Sequence, residues 1–247
     1  MPSRQRISRL RLLRFLDKLE SGGAPAVSLY LPAGLAEPEI EEAISHRGGI
    51  PLDIVGLVAG SATGAVLFWG QQDRYLVLPP FPVEEKQDFN DCTVRPLRSL
   101  LQQELLIALI LVRLGDYAIG VFRGEGLVSS KVGTGLVHSR HKKGGSSQRR
   151  FERHREKQME YFFDRVSGHV REHLEPHMRQ LDYVIYGGER HTLLAFRKQC
   201  RFLKAFDDRT LGRQLNVRKP RQQILEAAMG EVWSSELIEW IESKREW

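Results

Sequence analysis

Cysteine is nearly absent: only Cys92 and Cys200 occur in 247 residues, far apart and outside any Cys-x-x-Cys spacing. A disulfide framework and a cysteine-based zinc site are thereby excluded, and a reducing, cytoplasmic setting is expected. Long apolar runs are missing too. A bilayer-spanning helix needs about 18 or more apolar residues in succession, whereas the longest run, residues 105–112, has the length of a buried strand. The basic N-terminal stretch is interrupted by Arg9, Arg11, Arg14, Asp17 and Lys18, so no uncharged core of a secretory signal can form there. Neither a membrane partner nor secretion is expected. Apolar content is ordinary for a globular chain, and the length suits one large domain or two modest ones.

What is present is concentrated positive charge. Between His138 and Lys157 stand Arg140, Lys142, Lys143, Arg149, Arg150, Arg153, Arg155 and Lys157 against only Glu152 and Glu156. This stretch nets as much charge as the whole chain, whose formal excess is +6. The basicity is therefore expected to be local, as a nucleic-acid footprint would be.

Periodicity and turn signals divide the chain. Residues 5–20 predict an amphipathic helix with a basic polar face, residues 25–31 a strand, and residues 37–46 a short helix. Residues 65–69 and 75–78 predict a hairpin through Gly70-Gln71-Gln72-Asp73, stopped by the prolines at 79, 80 and 82. Gly56, Gly60 and Gly64 lack a dinucleotide fingerprint and predict turns or close packing. Residues 83–95 are polar and punctuated, placing a domain boundary there: a small α/β module at 1–95 and a second domain at 96–247.

The second domain opens with a helix at 96–104, carrying proline in its first turn. Residues 105–112, 117–122 and 126–132 then predict an antiparallel meander. A long helix at 149–175 shows Met159, Phe162, Phe163, Val166, Val170 and Leu174 at helical spacing. A strand at 181–186 and helices at 190–203 and 221–240 follow. Three meandering strands succeeded by alternating helices and a strand suggest an α/β fold, a ribonuclease-H-like mixed sheet with helices on its faces.

Chemistry concentrates at Lys142-Lys143-Gly144-Gly145-Ser146-Ser147-Gln148-Arg149-Arg150-Phe151. The paired glycines relieve steric limits and permit close approach to another backbone. Flanking cations can grip phosphates on both sides and hold a small neutral tip near RNA. Ser146 or Ser147 can cap the following helix.

From residue 102 through 170, the meander, the basic Gly-Gly loop and the Arg-Phe-x-Arg-x-Arg helix start resemble the central domain of eukaryotic and archaeal class-one peptide-chain release factors. In that family a Gly-Gly-Gln tripeptide enters the peptidyl transferase centre and promotes hydrolysis of the ester joining peptide to tRNA. Here Gly144 and Gly145 match, Ser146 stands in place of the glutamine, and Gln148 lies two positions later. A glutamine displaced behind serine is similar to the Vms-type branch of ribosome quality control and its bacterial relatives. The resemblance implies a peptidyl-tRNA hydrolase with Gln148 as its principal catalytic residue, seated with Gly144, Gly145, Ser146 and Ser147. Arg140, Lys142, Lys143, Arg149, Arg150, Arg153 and Arg155 would bind RNA. The implied partners are the ribosome at its peptidyl transferase centre, peptidyl-tRNA and ribosomal RNA, and no cofactor or metal is implied. No counterpart of the codon-reading domain is seen, which implies rescue rather than stop-codon reading. Cleavage of the tRNA CCA end stays open beside ester hydrolysis, as does a non-catalytic RNA-binding role.

Two other patterns compete. His169-Val170-Arg171-Glu172-His173 matches the H-x-x-E-H zinc pattern, with two imidazoles one helical turn apart. It falls late in a helix whose apolar stripe predicts packing, so an exposed structural face is the expected reading. A ribonuclease-H-type nuclease would need clustered carboxylates, and residues 105–112 contain none.

Overall fold

The computed structural model describes residues 3–22, 26–45, 52–70, 73–137 and 146–240. Its first half forms β1 (Ser3–Ile7), α1 (Arg9–Gly22), β2 (Val27–Leu31), α2 (Glu37–Ser45), α3 (Leu52–Ala59), β3 (Ala65–Trp69), β4 (Arg74–Leu78), β5 (Gln87–Phe89) and α4 (Arg95–Gln102). There follow β6 (Leu106–Arg113), β7 (Asp116–Arg123), β8 (Gly126–Thr134), α5 (Ser146–Leu174), β9 (Tyr183–Gly188) and α6 (Arg190–Gln199). The chain ends with β10 (Thr210–Leu215), α7 (Gln222–Val232) and β11 (Ser235–Trp240), and 3₁₀ segments occupy Glu175–His177 and Arg201–Arg209. Two compact units result, Met1–Gln103 with Gly230–Trp247, and Glu104–Met229. Each contains its own sheet and helices, a mixed α/β architecture.

In the first unit a six-stranded sheet has the order β1-β11-β4-β3-β2-β5. Alternation along its strands sends Tyr30, Val66, Phe68, Val77 and Leu237 to one face, where Leu12, Leu16 and Leu19 of α1 and Leu97 and Leu101 of α4 cover them. Leu29, Leu31, Leu67, Leu76 and Ile238 go to the other, beneath Ile40, Ile44, Ile54 and Val58 of α2 and α3. Both faces being covered, the central strand β3 is apolar throughout.

In the second unit the sheet order is β10-β9-β6-β7-β8. β6, β7 and β8 form the expected antiparallel meander, while β9 runs parallel to β6 and β10 parallel to β9. Leu106, Ala108, Ile110 and Val112 of β6 meet Phe162, Phe163, Val166, Val170 and Leu174 of α5 and Leu193 and Phe196 of α6. On the opposite face Gly120 leaves room for Leu225 of α7. β6 is consequently buried on both sides.

The expected division at 95/96 differs from this arrangement at two places. The helix predicted at 96–104 belongs to the first unit, because Leu97 and Leu101 bury against α1. The helix predicted at 221–240 ends at Val232, and the chain continues as β11 between β1 and β4. Three further expectations are corrected. Residues 5–7, predicted as the start of the helix, belong instead to strand β1, which pairs with β11 over its whole length. The segment 83–95, where the domain boundary is expected, contains β5, which hydrogen-bonds to β2. The helix predicted at 190–203 gives way to 3₁₀ geometry after Gln199, ahead of the unpredicted strand β10.

Candidate nucleic-acid interface

The candidate arm springs from one edge of the second unit's sheet. Asp116 opens β7 opposite both Arg113, at the end of β6, and Thr134, at the end of β8. The Gly135 N–H donates to the Gly115 carbonyl at 2.9 Å, fixing the exit of β8 beside the β6–β7 turn. Gly135 also lies so close to the ring of Phe162 that a side chain there would strike it. The departing chain is thus seated on Phe162, the first fully buried side chain among the described residues of the returning helix.

Arg140, Lys142, Lys143, Gly144 and Gly145 lie outside the described residues. Ser146, Ser147, Gln148 and Arg149 form the opening turn of α5. Arg150, Phe151, Glu152, Arg153 and His154 are exposed, Arg155 is half-buried, and no side chain from Arg150 to Tyr161 is fully buried. The partly buried Met159 is the first to reach the core. At 1.5 Å per residue, about 13 Å of helix from Arg150 therefore precedes that packing. Helical continuity with the anchored half sustains it, since a short isolated segment would be marginal. Phe151 is 64% exposed and Tyr161 75%, so two rings stand in water among arginines. Burial would stabilise each by a kcal/mol or more, so their exposure leaves them available for stacking.

The H-x-x-E-H residues lie on the half of α5 that faces the sheet. His169 stacks on Tyr117, with ring centroids 5.7 Å apart, and its Nδ1 is 3.1 Å from a Glu172 carboxylate oxygen. His173 Nδ1 faces the Ser129 hydroxyl at 3.3 Å. The two imidazoles are thus engaged separately and are half-buried, a correction to the expected exposed face. Among the described residues no three His, Cys, Asp or Glu side chains are grouped as metal ligands.

Burial pushes the His173 imidazole below its ordinary 6.5, with His169 and Lys131 adding repulsion and Glu172 opposing them. A depressed imidazole favours the neutral folded form, so its contribution is fully present above 6.5 and is lost as pH falls through the folded value. Acidification from pH 7.5 to 5.5 should therefore destabilise the fold, and His173→Gln should reduce that pH dependence. Urea unfolding at the two pH values measures both; identical pH dependence in the two proteins would exclude His173 as the cause.

Sequence reading placed all excess charge in the arm, and this is corrected by position in the fold. Residues 190–221 hold ten Lys or Arg against only Asp207 and Asp208, an excess balanced by acidic residues elsewhere in the chain. Counting charge by structural unit rather than over the whole chain would have found it.

A family model described as the Actinobacteria/chloroflexi VLRF1 release factor matches residues 106–238. The chain belongs to this VLRF1 release-factor family. The matched region includes the meander, α5 and the basic segment that follows it. Peptide chain release factor subunit 1 of Aeropyrum pernix is 26% identical over 201 residues, covering 67% of this chain and 53% of its own length. The same-named protein of Methanosphaera stadtmanae is 30% identical over 124 residues, covering 49% of this chain and 30% of its own. The VLRF1-family chain therefore spans about half, or less, of the curated relatives it matches here. Among solved structures, an archaeal translation termination factor aRF1 aligns with TM-score 0.42 and 21% identity over 92% of this chain and 73% of that one. The Vms1 mitochondrial localization core aligns with TM-score 0.37 and 14% identity over 83% and 90%. No helix among the described residues is long and apolar enough to cross a membrane.

Proposed function

We propose that this protein frees nascent chains from peptidyl-tRNA on stalled cytoplasmic ribosomes, without reading a stop codon. The observation that carries the reading is the opening of α5: in a release-factor family member, Gln148 sits in the first turn of a helix whose next two turns carry Arg150, Arg153 and Arg155 ahead of the helix's packing on the core. The sheet order β10-β9-β6-β7-β8, with its meander and two parallel pairings, supports the ribonuclease-H-like arrangement of the catalytic domain. Residues 96–103 serve the neighbouring unit in packing, so the catalytic part is assigned to 104–229.

In this mechanism Gly144 and Gly145 let the tip approach the acylated end of the tRNA, and Ser146 and Ser147 lead the chain into α5. Arg140, Lys142, Lys143, Arg149, Arg150, Arg153 and Arg155 neutralise ribosomal and tRNA phosphates. A neutral amide is too weak a base to remove a proton from water at pH 7. Gln148 therefore orients the attacking water and donates N–H to charge developing on the ester. Water attacks the carbonyl carbon, the bond to the ribose oxygen breaks, and that oxygen takes up a proton. Positioning supplies most of the acceleration.

Purified protein added to stalled ribosome–nascent-chain complexes should liberate peptide and leave a tRNA with an intact CCA end. Peptide liberated with loss of the CCA end would replace ester hydrolysis by cleavage of the RNA. Absence of release at saturating protein would overturn the catalytic reading.

A further inference from the structure

The edge that launches the arm carries a second group of cations. β6, β9 and β10 are parallel, so Arg113, Gly188 and Leu215 all end at that edge, together with Thr134 of β8, which like β6 runs antiparallel to β7. The turn after β9 presents Arg190, and the connection from β10 to α7 presents Arg218, Lys219 and Arg221. All four are exposed. The turns that bear them are tied to the sheet: the Gln214 amide donates to the Gly188 carbonyl at 2.8 Å, and Arg113 Nη1 donates to the Val217 carbonyl at 3.4 Å. By contrast Arg197 and Arg209 are committed internally, to Asp207 and to the Met178 and Leu181 carbonyls.

We infer that Arg190, Arg218, Lys219 and Arg221 form a second phosphate-binding surface, which holds the paired stem of an RNA whose unpaired end is engaged by the arm. This rests on the reading of the arm as an RNA probe and adds the part of the RNA that the sheet edge grips. β9 and β10 lie three and four strand spacings from β8, placing these cations about 14 to 19 Å along the edge from the base of the arm. A double helix offers a phosphate about every 1.7 Å of its axis, so such a span faces several phosphates at once. Chemistry separates the two surfaces. Around the sheet-edge cations Tyr186 of β9 is buried, and the connections 189–190 and 216–221 contain no Phe, Tyr or Trp, leaving no exposed ring for an unstacked base. Phe151 and Tyr161 on α5 are exposed rings. Backbone contact without stacking suits a paired stem, whereas cations interleaved with rings suit a single strand.

The fold supplies its own control. α6 returns along the sheet to the opposite edge, where β10 begins at Thr210 beside Val184. Lys198, Arg201 and Lys204 therefore lie toward that far edge, equally exposed and equal in charge to Arg218, Lys219 and Arg221.

The test is binding of the full chain to a hairpin RNA with a short 3′ overhang, and to the unpaired strand alone, as salt is varied. R218Q/K219Q/R221Q should lower the log–log salt slope for the hairpin by about two to three, while K198Q/R201Q/K204Q leaves it within about half a unit. Between about 50 and 200 mM salt the wild type should lose roughly 40-fold more affinity than the first variant. Thermal melting checks that each variant is folded; should the first triple fail to fold, R190Q/R218Q should lower the slope by about one to two. Equal effects of the two triples, an unchanged slope in the first, an equal change for the unpaired strand, or no binding of the hairpin by wild type would each overturn the inference. Hairpin binding with the expected slope difference, from a protein that releases no peptide, would leave the surface standing and remove only the release reading.

Discussion

Gln148→Ala should slow peptide release by about 10²–10³-fold while leaving ribosome binding within about two-fold of wild type. The expectation follows from how the arm divides its work. In the proposed mechanism attachment is carried by cations: those outside the described residues at 140, 142 and 143, and the exposed Arg150 and Arg153 on the early turns of α5. Removing a neutral amide takes away none of these charges, so neither affinity nor its salt dependence should move. In that mechanism the amide would contribute only where charge develops or where a water must be oriented, so its loss would be felt in the transition state alone. Single-turnover release at saturating protein isolates that step. Neutralising Arg150 and Arg153 should give the complementary pattern, with weaker binding, a salt slope lower by about two, and release recovered at high protein concentration. Release by Gln148→Ala at the wild-type rate would remove the side chain from the mechanism, whatever the binding data showed.

The candidate arm stands out in the amino-acid sequence because its signal is contiguous. Glycine pair, serines, glutamine and eight cations fall within about twenty residues, and the apolar stripe of α5 follows directly. β6 and β7 were legible for a similar reason, as apolar runs bounded by turns. The missed strands carry weak local signals. β1 buries only Ile7 of its five residues, β5 has three residues, and β10 is an edge strand containing Gly212 and Arg213. β11 follows α7 with Leu237 and Ile238 both buried on opposite faces, so no alternation marks the change from helix to strand. The sheet-edge cations escaped notice because no local motif gathers them. Arg190 and Arg218 are distant in the chain and meet at one edge only because β9 and β10 are parallel neighbours. Whole-chain net charge concealed them further, since acidic residues elsewhere cancel the sum.

That edge also supplies the second large effect. Gly188→Ala should destabilise the protein by about 3 kcal/mol or more, and Gly168→Ala should stabilise it by about 0.5–1 kcal/mol. Gly188 closes β9 with φ +131°, a region that L side chains rarely adopt, and an added Cβ would collide with the carbonyl oxygen of Val112 on β6. Backbone cannot yield as a flexible side chain would, and Val112 is paired on both sides within the sheet. Strain and collision therefore add. Gly168 instead lies inside α5 on its exposed side, with open space where a Cβ would go. Alanine there relieves the conformational entropy that glycine loses on folding and meets nothing. Against a typical total of about 5–15 kcal/mol, the first change should lower the melting temperature by roughly 10 °C and the second should raise it by a few degrees. Because Gly188 immediately precedes the turn bearing Arg190, its substitution should also weaken hairpin binding under conditions where the protein remains folded. Normal melting of Gly188→Ala would mean that the β9–α6 turn relaxes freely, and the sheet edge would then lack the rigidity that holds its cations in place.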